Sequence, residues 1–173
     1  MYFIQMSGFP GSGKSTLARR IAEQTGAVIV DHDISKTAVI EASEGMDIET
    51  KTLGQISYTV DWAFIDYYLS QGNDVIFDSP CLYPEMIETG LRLAKQHNAR
   101  YKYVECYLND FEVINARLQT RERMISQIPN TTEKKFHAAL NASQKPADIR
   151  CLTVDSSKPI DHYLPEVLEY IRE

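Results

Sequence analysis

Apolar and polar positions follow two rhythms along this chain. Short apolar runs, "YFIQM" at Tyr2 to Met6, "AVIV" at Ala27 to Val30, "DVIFD" at Asp74 to Asp78, "YKYVECYL" at Tyr101 to Leu108 and a last one near Cys151 to Val154, read as strands. Between them, apolar residues recur three and four apart. Leu17, Ala18, Ile21 and Ala22 mark a helix closed by Gly26, and Asp33 is placed to cap a second helix through Thr37 and Ile40. The acidic stretch "EGMDIETKTLGQ" reads as a loop, after which Ile56, Val60, Ala63, Phe64 and Tyr67 form one helical face ending near Gly72. Further helices are expected over Pro84 to Asn98, after an Asp110 cap with Val113, Ile114, Arg117, Leu118 and Arg121 on it, from Thr131 or Thr132, and through Leu168 and Ile171.

Strands alternating with helices predict parallel βαβ units, hence an α/β fold in three layers with about five parallel strands covered on both faces. Ligands of such sheets bind beyond the carboxyl ends of the strands, so the residues there carry the most weight. A chain of 173 residues is long enough for one well-buried core, and we read a single domain over 1–173 with a small helical lid at approximately 118–148.

The first strand end is the most informative. "GFPGSGKS", Gly8 to Ser15, satisfies the phosphate-loop pattern GxxxxGK[ST] between an expected strand and an expected helix. Glycines at these spacings let successive backbone N–H groups turn inward around phosphate oxygens, and the helix N-terminus adds positive potential. Gly8, Pro10, Gly11, Ser12, Gly13, Lys14, Ser15 and Thr16 are therefore candidate nucleotide-binding residues. Lys14 is placed to reach the β- and γ-phosphates, and the Ser15 hydroxyl to ligate Mg²⁺. Neither an NKxD guanine signature nor a DxxG switch is found, which argues against a GTPase.

Other strand ends supply carboxylates. Asp78 closes "VIFD" as a Walker B carboxylate would and is the second candidate metal residue. Asp33 lies just past the second strand, where it could accept the proton of an acceptor hydroxyl, with Asp31 as the competing base. Arg117 and Arg121, four apart on one helical face, and Arg123 beyond them resemble lid arginines that neutralise a transferring phosphoryl group. Ser156, in "VDSSKP" after the last strand, is placed to border the adenine ring.

With these residues in view, the chain resembles the P-loop small-molecule and polynucleotide kinases, the group of chloramphenicol phosphotransferase, zeta-toxin-type sugar-nucleotide kinases and the kinase domain of polynucleotide kinase. The resemblance covers nearly the whole chain and rests on "GFPGSGKST", "DHD", "VIFDSP", "ARLQTRERM" and "VDSSKP". It implies a P-loop NTPase fold with a five-stranded parallel core, ATP with Mg²⁺, a base that maps onto Asp33, and lid arginines that map onto Arg117, Arg121 and Arg123. Several members carry an arginine shortly after the base that grips a phosphorylated acceptor, whereas "DISK" offers Lys36.

Composition narrows the acceptor. The formal charge is −6, from 18 Lys+Arg against 24 Asp+Glu, and no basic stripe marks a nucleic-acid track. Between Asp33 and Leu91 the only cations of the lysine and arginine type are Lys36 and Lys51, among many carboxylates. This points to a small, neutral or cationic hydroxylated acceptor, with Tyr58, Trp62 and Tyr83 as wall candidates; core packing is the competing reading for all three and the favoured one for Trp62. A polynucleotide 5′-hydroxyl kinase and a non-enzymatic nucleotide-dependent interaction module are the alternatives. No apolar run approaches a membrane span and no secretion signal precedes the first strand, so the expected setting is cytoplasmic. Cys81, Cys106 and Cys151 form no CxxC pair and are read as structural thiols. Oligomeric state leaves no mark in the sequence.

Overall fold

In the computed structural model, which describes residues 1–173, the elements run β1 (Tyr2–Ser7), α1 (Lys14–Thr25), β2 (Val28–Asp31), α2 (His32–Ala42), α3 (Thr50–Ser70), β3 (Val75–Asp78), α4 (Pro84–Gln96), β4 (Arg100–Tyr107), α5 (Phe111–Thr120), α6 (Glu133–Ala142), β5 (Cys151–Asp155) and α7 (Leu164–Arg172). The five strands form one parallel sheet in the order β2-β3-β1-β4-β5. β1 is central, and its alternate residues feed two cores. Tyr2, Ile4 and Met6 pack with Leu17, Ala18 and Ile21 of α1 and Val167, Tyr170 and Ile171 of α7. Phe3 faces the other way, toward Ile65 and Leu69 of α3 and Leu93 and Ala94 of α4. The period-2 alternation of a strand thus produces the three layers. No helix is long and apolar enough to cross a membrane.

A third, smaller cluster joins α5 and α6 to the Gly-rich loop. Phe9 of that loop packs edge-on against Phe136 of α6, with ring centroids 5.1 Å apart, beside Ile114 and Leu118 of α5. Asp110 caps α5 through the N–H of Val113, as expected, and of the two threonines before α6 it is Thr132 that caps it, through the N–H of Lys135.

Three local expectations are corrected. α3 begins at Thr50, so the second half of the expected loop is helix. Asp31, not Asp33, caps α2, its carboxylate accepting the Asp33 N–H at 2.9 Å. The predicted inner face of α3 is its outer one: Ile56, Val60, Ala63, Phe64 and Tyr67 are exposed, and Leu53, Ser57, Asp61, Ile65 and Leu69 are buried. The reversal has a polar cause. Asp61, fully buried, receives the Ser35 hydroxyl at 2.5 Å and lies 2.7 Å from His32 Nδ1, so α3 turns a carboxylate toward the start of α2, where donors satisfy it.

Candidate functional site

The chain turns from β1 into α1 through Gly8, Gly11 and Gly13, which have φ of +128°, +88° and +96°. Gly8 is doubly constrained, since a Cβ there would stand 2.3 Å from the Cys106 carbonyl oxygen of β4. Gly13 offers no side chain to cap α1, so the first-turn N–H groups of the helix stay free for an anion. Lys14 is buried, with Nζ donating to the Gly8 and Phe9 carbonyls at 2.8 and 3.2 Å. Burial lowers its proton affinity, opposed chiefly by the Asp78 carboxylate.

Asp31 and Asp78 stand in register at the ends of β2 and β3. Burial raises the Asp78 carboxyl, with the Lys14 charge and the Ser15 hydroxyl opposing, and its Oδ2 is buried without a hydrogen-bond partner. An orphaned carboxylate oxygen beside a phosphate loop and a serine hydroxyl is a donor set suited to Mg²⁺. Ser15 and Asp78 thus fit the metal role that their positions in the sequence indicate.

Burial, reinforced by Asp78, pushes the Asp31 carboxyl up to about 6 from 3.8. The folded state then holds this proton more tightly than the unfolded chain, so stability declines as pH rises between those two values and stays reduced above them. An asparagine keeps the cap and removes the charge. Asp31→Asn should accordingly be more stable than the parent at pH 7.5, by about 1–2 kcal/mol. The gain should vanish at pH 4, as thermal melts without Mg²⁺ will show. Equal melting temperatures at pH 7.5 would mean that Asp31 is not held against its charge.

The end of α5 and the turn after it border one side of the site. Arg117 Nη1 donates to the Gly11 carbonyl at 3.2 Å, tying α5 to the phosphate loop. α5 ends at Thr120, so Arg121 stands beyond the helix in extended backbone and does not share its face with Arg117, contrary to the sequence expectation. Arg121 nonetheless lines the cleft, and its Nε is buried without a partner. Arg123 lies outside the cleft lining and donates to the Gln127 carbonyl at 2.9 Å. Ser156 lines the cleft, but its hydroxyl is held by the Tyr107 carbonyl at 3.0 Å.

Of the candidate site residues singled out in the sequence, all except Gly8 and Arg123 border one cleft of about 1410 Å³, larger than the roughly 300–1,000 Å³ of a single small-molecule pocket. The loop residues Pro10 to Thr16 contribute to its lining. Asp33, Lys36, Lys51, Tyr58, Trp62 and Tyr83 line the same cleft. Trp62 does double duty, lining the cleft while packing edge-on against Phe77 at 4.7 Å. Tyr58 stacks on His32 at 3.8 Å. Sequence reasoning missed His32 and Asp61, whose pairing spans 29 residues, and also Ser126 and Gln127, which contact Asp33 across 93 and 94 residues. Only Asp61 left a trace, as a carboxylate in the apolar stretch Ile56 to Ile65.

This geometry can be set beside known proteins. A family model described as an AAA domain matches residues 3–146. The chain belongs to that family. No curated protein matches the sequence. Among solved structures, this AAA domain is similar to a sugar kinase from Janibacter, with a TM-score of 0.66 and 15% identity over 99% of this chain and 95% of that one. It is similar also to a gluconokinase from Sinorhizobium meliloti, with 0.64 and 20% over 99% and 91%. Kti12 of Chaetomium thermophilum in complex with ADP-AlF3 gives 0.66 and 15% over 98% of each chain. The fold of this AAA domain is that of the P-loop kinases.

Proposed function

We propose that the chain is an ATP-dependent kinase that transfers the γ-phosphate to a hydroxyl of a small, neutral or cationic acceptor. The observation that carries this reading is a single cleft lined both by the phosphate loop and by the Asp33 carboxylate, roomy enough for two substrates. The similarity to a sugar kinase and a gluconokinase supports it. Of the many carboxylates between Asp33 and Leu91, only Asp33, Asp78 and Glu85 border the cleft, along with Asp31 just before them; Lys36 and Lys51 border it too. The wall is therefore mixed in charge, and the stretch from Asp33 to Leu91 contributes no arginine to clamp a phosphorylated acceptor.

In the proposed reaction, the loop N–H groups and Lys14 hold the triphosphate, and Arg117 and Arg121 offset charge on the transferring group. Mg²⁺ bound by Ser15 and Asp78 would neutralise phosphate charge. Asp33 takes the acceptor hydroxyl proton as that oxygen forms its bond to the γ-phosphorus and the bond to the β–γ bridging oxygen breaks, leaving ADP. Incubation with γ-labelled ATP, Mg²⁺ and a panel of neutral sugars, aminocyclitols, D-gluconate and a nucleoside monophosphate tests the proposal. Labelled neutral or cationic acceptors are expected. Preferential labelling of the nucleoside monophosphate would overturn the acceptor class, and release of free phosphate alone would overturn the kinase reading.

A further inference from the structure

The turn that follows α5 does more than carry arginines. Gln127 donates from Nε2 to Asp33 Oδ2 at 2.8 Å, while its Oε1 receives the Met124 N–H at 3.2 Å. Both ends of the amide are thereby engaged, and only one orientation of it satisfies a carboxylate on one side and an N–H on the other. Ser126 adds a second tie, its hydroxyl donating to the Asp33 carbonyl at 3.0 Å while receiving the Thr37 hydroxyl at 3.0 Å. The arginines of this segment brace the same turn from within. Arg123 donates to the Gln127 carbonyl at 2.9 Å and Arg121 to the Ile128 carbonyl at 3.3 Å.

We propose that Gln127 is a positioning residue that locks the turn 121–128 onto the Asp33 carboxylate, so that one contact sets both the orientation of the base and the place of Arg121. This rests on the reading of Asp33 as the base. The chemistry favours a division of labour between the two carboxylate oxygens. Oδ2 is taken by Gln127, whereas Oδ1 has only a long 3.5 Å approach from Ser126 and is the oxygen left to receive a proton. A carboxylate in the first turn of a helix otherwise exchanges among its staggered rotamers; a charge-assisted hydrogen bond from a braced amide selects one of them. Without the turn in place, the base is unaligned.

The lock can be read without any acceptor, because trypsin cleaves after Arg121 and Arg123 inside the turn it holds. Limited trypsinolysis of the full chain without nucleotide should show cleavage at these two positions accelerated about fivefold by Gln127→Leu, and similarly by Asp33→Leu. The double variant should be cut no faster than the faster single one, since both remove the same bond. Asp33→Asn keeps an acceptor oxygen for Gln127 and should keep the parental rate. Parental cleavage in Gln127→Leu, or effects that multiply in the double variant, would overturn the lock. With an acceptor identified from the panel, Gln127→Leu should lower kcat about tenfold while the KM for ATP stays within about twofold. An unchanged kcat would overturn the positioning role even if cleavage accelerates. Failure of the parent to phosphorylate any acceptor would instead remove the functional reading of Asp33, a result independent of the trypsin pattern.

Discussion

Lys14→Ala should reduce phosphoryl transfer by about a thousandfold while leaving the melting temperature of the nucleotide-free protein unchanged or raised. The two halves of this expectation share a cause. Lys14 is buried at the start of α1, its ammonium held by two loop carbonyls and lowered in proton affinity by loss of water. Carbonyl dipoles compensate a desolvated cation only in part, so the folded chain gains little from it. In the proposed reaction its charge becomes useful when phosphate enters the loop. Alanine at this position keeps the helical propensity of the first turn and removes the poorly solvated charge. Transfer kinetics paired with thermal melts decide the matter. Turnover within about tenfold of the parent would take Lys14 out of the transferring machinery, and a collapse in melting temperature would recast it as a structural residue.

What could be read ahead of the structure was what depends on near neighbours. The phosphate loop is legible because its function needs backbone shapes at fixed spacing, and Gly8, Gly11 and Gly13 supply them over one short turn. The strand order is less local, yet runs such as "VIFD" announce a sheet buried on both faces, and Asp78 falls at its end as expected. Periodicity misled on α3 because it counts apolar residues and ignores what a polar one can find. Asp61 is stabilised inside by His32 and Ser35, partners that only the packing of α2 on α3 brings within reach. That one satisfied carboxylate leaves Phe64 and Tyr67 half-exposed or more. After α5, a spacing of four between Arg117 and Arg121 implied a shared face, but a helix that stops at Thr120 breaks the inference. The Gln127 contact with Asp33 joins residues 94 positions apart, and no local pattern encodes it.

Asp33→Asn should lower transfer by about 10²–10⁴-fold with ATP affinity changed by less than about threefold. The substitution isolates proton transfer from the other roles of the side chain. An asparagine in its place is nearly isosteric, remains in the first turn of α2, and still offers Gln127 an oxygen, so neither the helix nor the contact with the turn gives way. What disappears is the ability to accept a proton. The competing base, Asp31, is poorly free for the task because its carboxylate already caps α2 through the Asp33 N–H. Its raised proton affinity, about 6, nevertheless suits general-base chemistry near neutrality, so the two aspartates must be separated by experiment. Side-by-side kcat and ATP-binding measurements on Asp31→Asn and Asp33→Asn make the separation. If Asp31→Asn abolishes transfer while Asp33→Asn spares it, the base lies at the strand end, and the Gln127 contact orients no reacting group.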